Sequence, residues 1–556
     1  MARRKDELVF VALGGLGEIG MNLGLYGFGP EDRRKWVMVD CGISFAGDEA
    51  PGVDLVFPDI RFIVEERRDL LGIVITHAHE DHIGALARLW PQLEVPVYCT
   101  PFAAGLLEMR RLAEPGAPKI PLRKVPQNGR IALDPFDIEM VPVSHSIPEA
   151  TALAIRTPLG TVLHTGDWRI DPAPVVGRPT DGERLAEIGD EGVLAMVCDS
   201  TNALRDGMSP SESEVSANLA KLIAEAPHRV AVTTFASNVA RVRAVAEAAR
   251  KAGREIVVVG RAMDRVVSVA SELGYLDGLP PFLSPEVYDQ LPREKVVALL
   301  TGSQGEARAA MARVATDSHP DISLAAGDRV IFSSRAIPGN EKAINTIINN
   351  LARRGVEVIT DHDALVHASG HPRRGELEQM YQWVRPRIVL PVHGEPMHLA
   401  GQRDFARKQG VQVILRAEDG EMVRFAPGDA GIVDEVPVGR VYQDGDLLID
   451  AQERTIPERR KLAFAGVVSV AIAISDRGEL AGDVSIGSSG LPPATADGEV
   501  FDEVIGETVL QLLESLPKAR RRDPDAVVNA VEKAVRAEVQ RKWGKKPVCH
   551  AHVITV

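Results

Sequence analysis

Three histidines and two acids crowd into THAHEDHIG, residues 76–84, in a chain with only 14 histidines among its 556 residues. Imidazole nitrogen and carboxylate oxygen offered together suit Zn2+ or Mn2+ better than Mg2+, which keeps oxygen and water around it. The spacing favours a metal site over a polar loop. His77 and His79 flank one residue, so an extended backbone points both the same way. Asp81 and His82 follow in a tight turn and aim at a second point nearby. Three later stretches end strands at residues of the same kind: VPVSHSIPE at His145, VLHTGDWRID at Asp167 and IVLPVHGE at His393. Each alone reads as an ordinary turn residue, but together they complete two metal shells. Gly166 lets the backbone approach closely beside Asp167.

These residues need strands that stop at one place. LLGIVIT before the cluster reads as a strand and IGALARLW after it as a helix. The first 170 residues are mostly short strands with Gly and Pro punctuation. From about 208 to 362 strand and helix alternate, as in HRVAVTTF, SNVARVRAVAEAARKAG and EIVVVG, the pattern of a parallel α/β unit. Short strands and helices return over 363–450. DAQERTIPERRK, before residue 462, reads as a linker. Beyond it a β-hairpin (FAGVVSVAIAIS to ELAGDVSIG), two helices and the strand CHAHVITV make a small α+β domain. The expected boundaries are therefore 1–207, 208–362, 363–450, a linker over 451–462, and 463–556.

The totals exclude several classes. No apolar run is long enough to span a membrane, and MARRKDELVF lacks a signal-peptide core. Cys41, Cys99, Cys198 and Cys549 form no CxxC pair, so a reducing cytoplasm without structural disulfides is expected. A net charge of −14 speaks mildly against nucleic acid. Basic clusters survive in PERRKL, KARRR (518–522) and RKWGKK (541–546), and acids around a metal would themselves lower the total.

GLGEIG, with Gly15, Gly17 and Gly20, has the form of a dinucleotide-binding GxGxxG, and Asp40 falls where a ribose-binding acid would. The motif must open a helix, and MNLGLYGFGPEDRRK cannot be one. A glycine-rich β-hairpin is the better reading, which frees Asp40 for another role. GSQGE (302–306) reads as a loop at a strand end with an RNA-backbone contact as a minor alternative. His550 and His552 read as edge-strand or interface residues, because no further ligand accompanies them.

THAHEDHIG with Asp40, His145, Asp167 and His393 resembles the metallo-β-lactamase fold. CDSTN (198–202), HASGH (367–371) and PVHGE (391–395) resemble its β-CASP nuclease branch. GGLGEIGMN, TFASN (234–238) and the C-terminal domain narrow the resemblance, nearly end to end, to the ribonuclease J family. The fold implied is α/β: an αββα sandwich with an inserted β-CASP domain and a small α+β C-terminal domain. One metal would take His77, His79, His145 and Asp167; the other Asp81, His82, His393 and the shared Asp167, with Asp40 orienting a ligand behind them. The cofactor implied is two Zn2+ per subunit, with Mn2+ as the alternative.

Two such ions roughly 3.5–4 Å apart clamp a phosphodiester for in-line displacement. Asp81 would serve catalysis as a ligand, and His371 is the candidate general acid for the departing 3′ oxygen, oriented by Asp199. By itself TFASN is an ordinary helix cap. The resemblance makes Ala236, Ser237 and Asn238 one wall of a 5′-monophosphate pocket and His367, Ala368, Ser369, Gly370 and His371 the other. Histidine at 393 resembles the RNA-processing members. The expected activity is a 5′→3′ exonuclease on 5′-monophosphorylated single-stranded RNA, with endonuclease action as a second mode, in RNA maturation and decay. The rivals are a DNA nuclease of the same branch and a thioester, lactam or lactone hydrolase. A homodimer or homotetramer in the cytoplasm, off the membrane, completes the expectation.

Overall fold

The computed structural model describes residues 5–47 and 49–556. Contacts divide them into two compact units, one of 5–44 and 57–440, the other of 45–47, 49–56 and 441–556.

Two sheets face each other in the larger unit. The first runs, edge to edge, through Gly431–Glu435, Glu421–Ala426, Glu7–Gly14, Leu23–Gly29, Lys35–Val39, Leu70–Val74, Val97–Cys99 and Leu122–Lys124. The second runs through Val413–Ile414, Ile388–Val392, Ala195–Asp199, Gly160–His164, Thr151–Thr157, Phe136–Pro142 and Arg130–Leu133. Period-two alternation fixes what each strand buries. Ile138, Met140, Leu153, Ile155 and Val162 point between the sheets, against Phe10, Tyr26, Val37 and Phe425. Their neighbours Val141, Ala152, Ala154 and Leu163 point outward, under Leu185, Ile188, Leu377, Met380 and Tyr381. Those five come from helices Gly182–Glu191 and Arg374–Val384. The result is the αββα sandwich.

The insert is a five-stranded, wholly parallel sheet in the order Glu255–Val259, Val296–Leu300, Val230–Thr233, Arg329–Phe332, Glu357–Ile359. Its strands are near-continuous apolar runs, as a sheet covered on both faces requires. GSQGE is a loop here: the strand before it ends at Leu300 and the next helix starts only at Ala310.

GLGEIG connects Glu7–Gly14 to Leu23–Gly29, which pair antiparallel, so it opens no helix.

In the smaller unit, Val467–Ile474 pairs antiparallel with Ser485–Ser489 and parallel with Val548–Thr555. Helices Phe501–Ser515 and Pro524–Trp543 cover one face through Ile505, Val509, Val531 and Val535. His550 and His552 lie exposed on the edge strand. The stretch expected as a linker holds helix Thr455–Ala465, whose Pro457 sits in the first turn, where its missing N–H costs nothing. Ile456 of that helix packs with Ala50 and Val53, residues far away in sequence. All four cysteines are free and buried. Among the described residues no helix is long and apolar enough to cross a membrane.

Candidate metal centre and phosphate pocket

Strand direction gathers the site. Phe136–Pro142, Gly160–His164, Ala195–Asp199 and Ile388–Val392 all run the same way in the second sheet, so His145, Asp167, Asp199 and His393 emerge at one rim. Lys35–Val39 and Leu70–Val74 run parallel in the first sheet and deliver Asp40 and His77. Backbone conformation there is unusual. Asp40 (φ 62°) and His393 (φ 51°) occupy the left-handed region without being glycine, a strain tolerated where the surroundings fix the residue. Gly166 has φ 55°, and a Cβ there would lie 3.1 Å from the Thr151 carbonyl oxygen.

Two groups of four donors result, sharing Asp167: His77, His79, His145 with Asp167, and Asp81, His82, His393 with Asp167. Donors around a tetrahedral Zn2+ at about 2.0–2.1 Å sit about 3.3 Å from one another. In the first group His79 Nδ1 is 3.0 Å from both His77 Nε2 and His145 Nε2, and Asp167 Oδ2 is 3.7 Å from each of those two Nε2 atoms. In the second, His82 Nε2 lies 3.3 Å from Asp167 Oδ2 and 3.5 Å from Asp81 Oδ2, and His393 Nε2 lies 3.3 Å from Asp81 Oδ2. Nitrogen and carboxylate donors this close fit a zinc-like cation at each centre. Asp199 and His371 join Asp167 and His393 in a third grouping, which shares two donors with the second rather than standing apart from it.

In His77, His82, His145 and His393 the other ring nitrogen is also engaged, which fixes the ring and the tautomer. His82 Nδ1 donates to Asp40 Oδ2 at 2.7 Å, and Thr76 donates to the same carboxylate through N–H and Oγ1, both at 2.8 Å. His145 Nδ1 donates to the Gly370 carbonyl at 2.7 Å. Only glycine permits that approach, since a Cβ at 370 would lie 2.6 Å from His145 Nδ1. His393 Nδ1 meets Thr201 Oγ1 at 2.7 Å. His371 Nδ1 is 2.8 Å from Asp199 Oδ2, and Asp199 Oδ1 accepts the Thr201 N–H. Asp40→Asn is expected to weaken metal binding about 10–100-fold with the fold retained. Competition with a chelator checks it, and unchanged affinity would remove Asp40 from the centre.

Protonation follows the same geometry. Burial pushes His77, His79 and His145 down, His79 to about 4, so their lone pairs are free at neutral pH. At His82 and His393 burial acts the same way, but the surrounding carboxylates outweigh it, and His393 is pushed up to about 10. Cation uptake by the second group therefore displaces protons and weakens as pH falls.

Of the candidate phosphate-pocket residues, those of TFASN lie in the insert and those of HASGH in the loop that follows it. Asn238 is the N-cap of helix Val239–Lys251, and its Oδ1 accepts the Arg241 N–H, so that oxygen is taken by the helix itself. Ala236 and Ser237 are half-buried in the turn before it. Arg241, fully buried, ties the helix to the HASGH loop by donating to the Val366 carbonyl at 2.8 Å, and it pairs with Glu212 at 3.1 Å. Ala368 is buried, and Ser369 Oγ accepts from Asn202 at 2.8 Å. His367 Nδ1 is buried with no hydrogen-bond partner.

Three contributors escape a sequence reading. Asn22 donates to the Asp81 carbonyl at 3.1 Å, Thr201 holds His393, and His164, pushed by burial to about 4, meets Tyr26 Oη at 3.0 Å behind Asp40. Asn22 and Thr201 stand inside GGLGEIGMN and CDSTN, but their partners are visible only in three dimensions.

Comparison with known proteins then decides the family. The chain is 54% identical over 551 residues to "Ribonuclease J" of Sinorhizobium meliloti, covering 99% of this chain and 98% of that one. The family is settled. This chain belongs to the ribonuclease J family. It is 39% identical to "Ribonuclease J" of Mycolicibacterium smegmatis, covering 98% and 97% of the two chains. Family models match the metallo-β-lactamase superfamily over residues 30–260 and the ribonuclease J β-CASP domain over 227–351. Others match a Zn-dependent metallo-hydrolase RNA specificity domain over 355–416 and the ribonuclease J C-terminal domain over 454–556. A crystal structure of a protein of unknown function from Enterococcus faecalis V583 shares the fold, with TM-score 0.52 and 17% identity over 75% of this chain and all of that one.

Proposed function

We propose that this chain, a metal-dependent ribonuclease by family, is a 5′→3′ exonuclease preferring 5′-monophosphorylated single-stranded RNA, with endonucleolytic cutting as a second mode in RNA maturation and decay. The buried, unpartnered Nδ1 of His367 carries the end preference. A buried polar atom without a partner is costly, and a terminal phosphate held there would satisfy it. Ser369 and Gly370 lie beside it in sequence, and Arg241 brings the TFASN turn to the same loop.

His77, His79, His145 and Asp167 would hold one Zn2+ and Asp81, His82, His393 and Asp167 the other, with Mn2+ as the alternative. When bound, the pair supplies Lewis-acid stabilisation of developing charge and a nucleophile at neutral pH. His371, held through Nδ1 by Asp199, presents Nε2 to the departing 3′ oxygen and gives it a proton. The chain itself forms a homodimer or homotetramer through residues 463–556, where the edge strand stands exposed, and four free thiols fit a reducing cytoplasm.

One RNA sequence carrying a monophosphate, a triphosphate or a hydroxyl at its 5′ end, and the matching DNA, test the reading in single-turnover assays. Monophosphorylated RNA should be cut fastest, and His367→Ala should cost it about tenfold, the equivalent of one hydrogen bond to a charged group. Equal rates on the three ends would remove the pocket. DNA cut as fast as RNA would favour the DNA-nuclease alternative.

A further inference from the structure

Three arginines stand around the site without a part in the chemistry. Arg205 follows the loop that begins at Asp199, Arg335 follows strand Arg329–Phe332, and Arg373 lies two residues past His371. Their loops are tied into one frame. Asn202 donates to the His371 carbonyl at 3.1 Å, the Arg374 N–H donates to the Arg205 carbonyl at 2.9 Å, and Ser333 Oγ donates to the Val366 carbonyl at 2.7 Å.

On a chain of net charge −14, cations are expected to find carboxylates. Arg374 does so, with Asp206 at 2.8 Å, and Arg335 has Asp361 at 3.4 Å. Among the described residues Arg205 and Arg373 have no carboxylate within ion-pair distance, and Arg373 Nε is buried without a hydrogen-bond partner. Burial first, then Arg335 and Arg373, push the Arg205 guanidinium below its ordinary range, with Asp361, the one carboxylate shared with Arg335, offsetting only part of it; Arg335 also acts on His367. Guanidinium groups gathered and left under-neutralised call for an anion, and their planar forks match phosphate oxygens.

We propose that Arg205, Arg335 and Arg373 form a second phosphate site, which takes the phosphate immediately 5′ of the one held at His367. This rests on the exonuclease reading of the pocket. Two sources offer that phosphate: the β-phosphate of a triphosphorylated RNA end, and the backbone of an RNA that runs on past the pocket. The arginines then set how strongly the enzyme discriminates between a monophosphorylated end and everything else.

The metal-loaded full chain and its R205Q/R335Q/R373Q variant are compared on one RNA with a 5′-monophosphate, the same RNA with a 5′-triphosphate, and a circular form without an end. The variant should keep kcat/KM on the monophosphate within about twofold and lose about tenfold or more on the other two, through KM. The slope of log affinity against log salt should fall by about 0.7 per lost phosphate contact on those RNAs. R205K/R335K/R373K, which keeps the charge, should recover most of the loss and so separates recognition from folding. Loss on the triphosphate alone would support the polyphosphate source, and loss on the circle alone the continuing strand. No loss on either, or equal loss on all three, would overturn the site. Equilibrium binding of the same RNAs in EDTA reads the site without turnover. A wild-type chain that cut none of the three would therefore overturn the ribonuclease reading, while the binding ratio would still decide this one.

Discussion

Asp167→Ala is expected to lower RNA hydrolysis on the order of 10³-fold or more and to reduce bound metal from two ions per chain to one or none. A single oxygen explains the size of the effect. Asp167 Oδ2 lies 3.7 Å from His77 Nε2, 3.3 Å from His82 Nε2, 3.7 Å from His145 Nε2 and 3.8 Å from His393 Nε2, so both donor groups close on it. Its loss leaves each centre three donors and removes the anion that balances two cations. The fold should survive, because His77 and His145 are held neutral by burial and His82 keeps Asp40 as a partner. Metal analysis beside circular dichroism checks both halves of the expectation. A folded variant that still carried two ions and cut RNA normally would show that Asp167 bridges nothing.

The candidate centre was legible because its possible donors obey a local rule: each follows the carboxyl end of a short apolar strand. THAHEDHIG needs no tertiary knowledge to look like a ligand cluster, and strands running one way bring His145, Asp167 and His393 to it. What stayed hidden depends on residues distant in sequence meeting inside the protein. Arg169, Asp171, Glu212 and Arg241 form a buried charge network between the Asp167 loop and the insert. In the sequence they look like surface charges. Thr455–Ala465 looked like a linker because its apolar anchor, Ile456, buries against Ala50 and Val53, some four hundred residues earlier. TFASN was legible as a helix cap, and Asn238 Oδ1 is indeed committed to capping, by accepting the Arg241 N–H.

His371→Ala should leave metal content unchanged and lower kcat about 10²–10⁴-fold, the range for losing a general acid. The deficit should shrink for a substrate whose leaving group needs no proton, such as a p-nitrophenyl phosphodiester; an equal deficit would make His371 a binding residue. The pH profile gives a second reading. Burial alone would depress His371, but Asp199 and Asp167 outweigh it and hold the ring above the usual histidine range. A general acid works while protonated, so activity is present below that pKa and falls as pH rises through it. Once cations engage Asp167, Asp199 at 2.8 Å is the carboxylate left to sustain the shift. Asp199→Asn should therefore move the alkaline limb to lower pH. An unmoved limb would assign that limb to another group.

His393 comes more than three hundred residues after His82, from a strand paired, among the described residues, with Ala195–Asp199 and Val413–Ile414. During synthesis the first four-donor group is complete once residue 167 has emerged. The second waits until the whole insert has been made and the chain has returned to the rim. Metal binding contributes folding free energy only when its donors have met. The second candidate centre can therefore fill only after the insert has been made and the chain has returned to the rim.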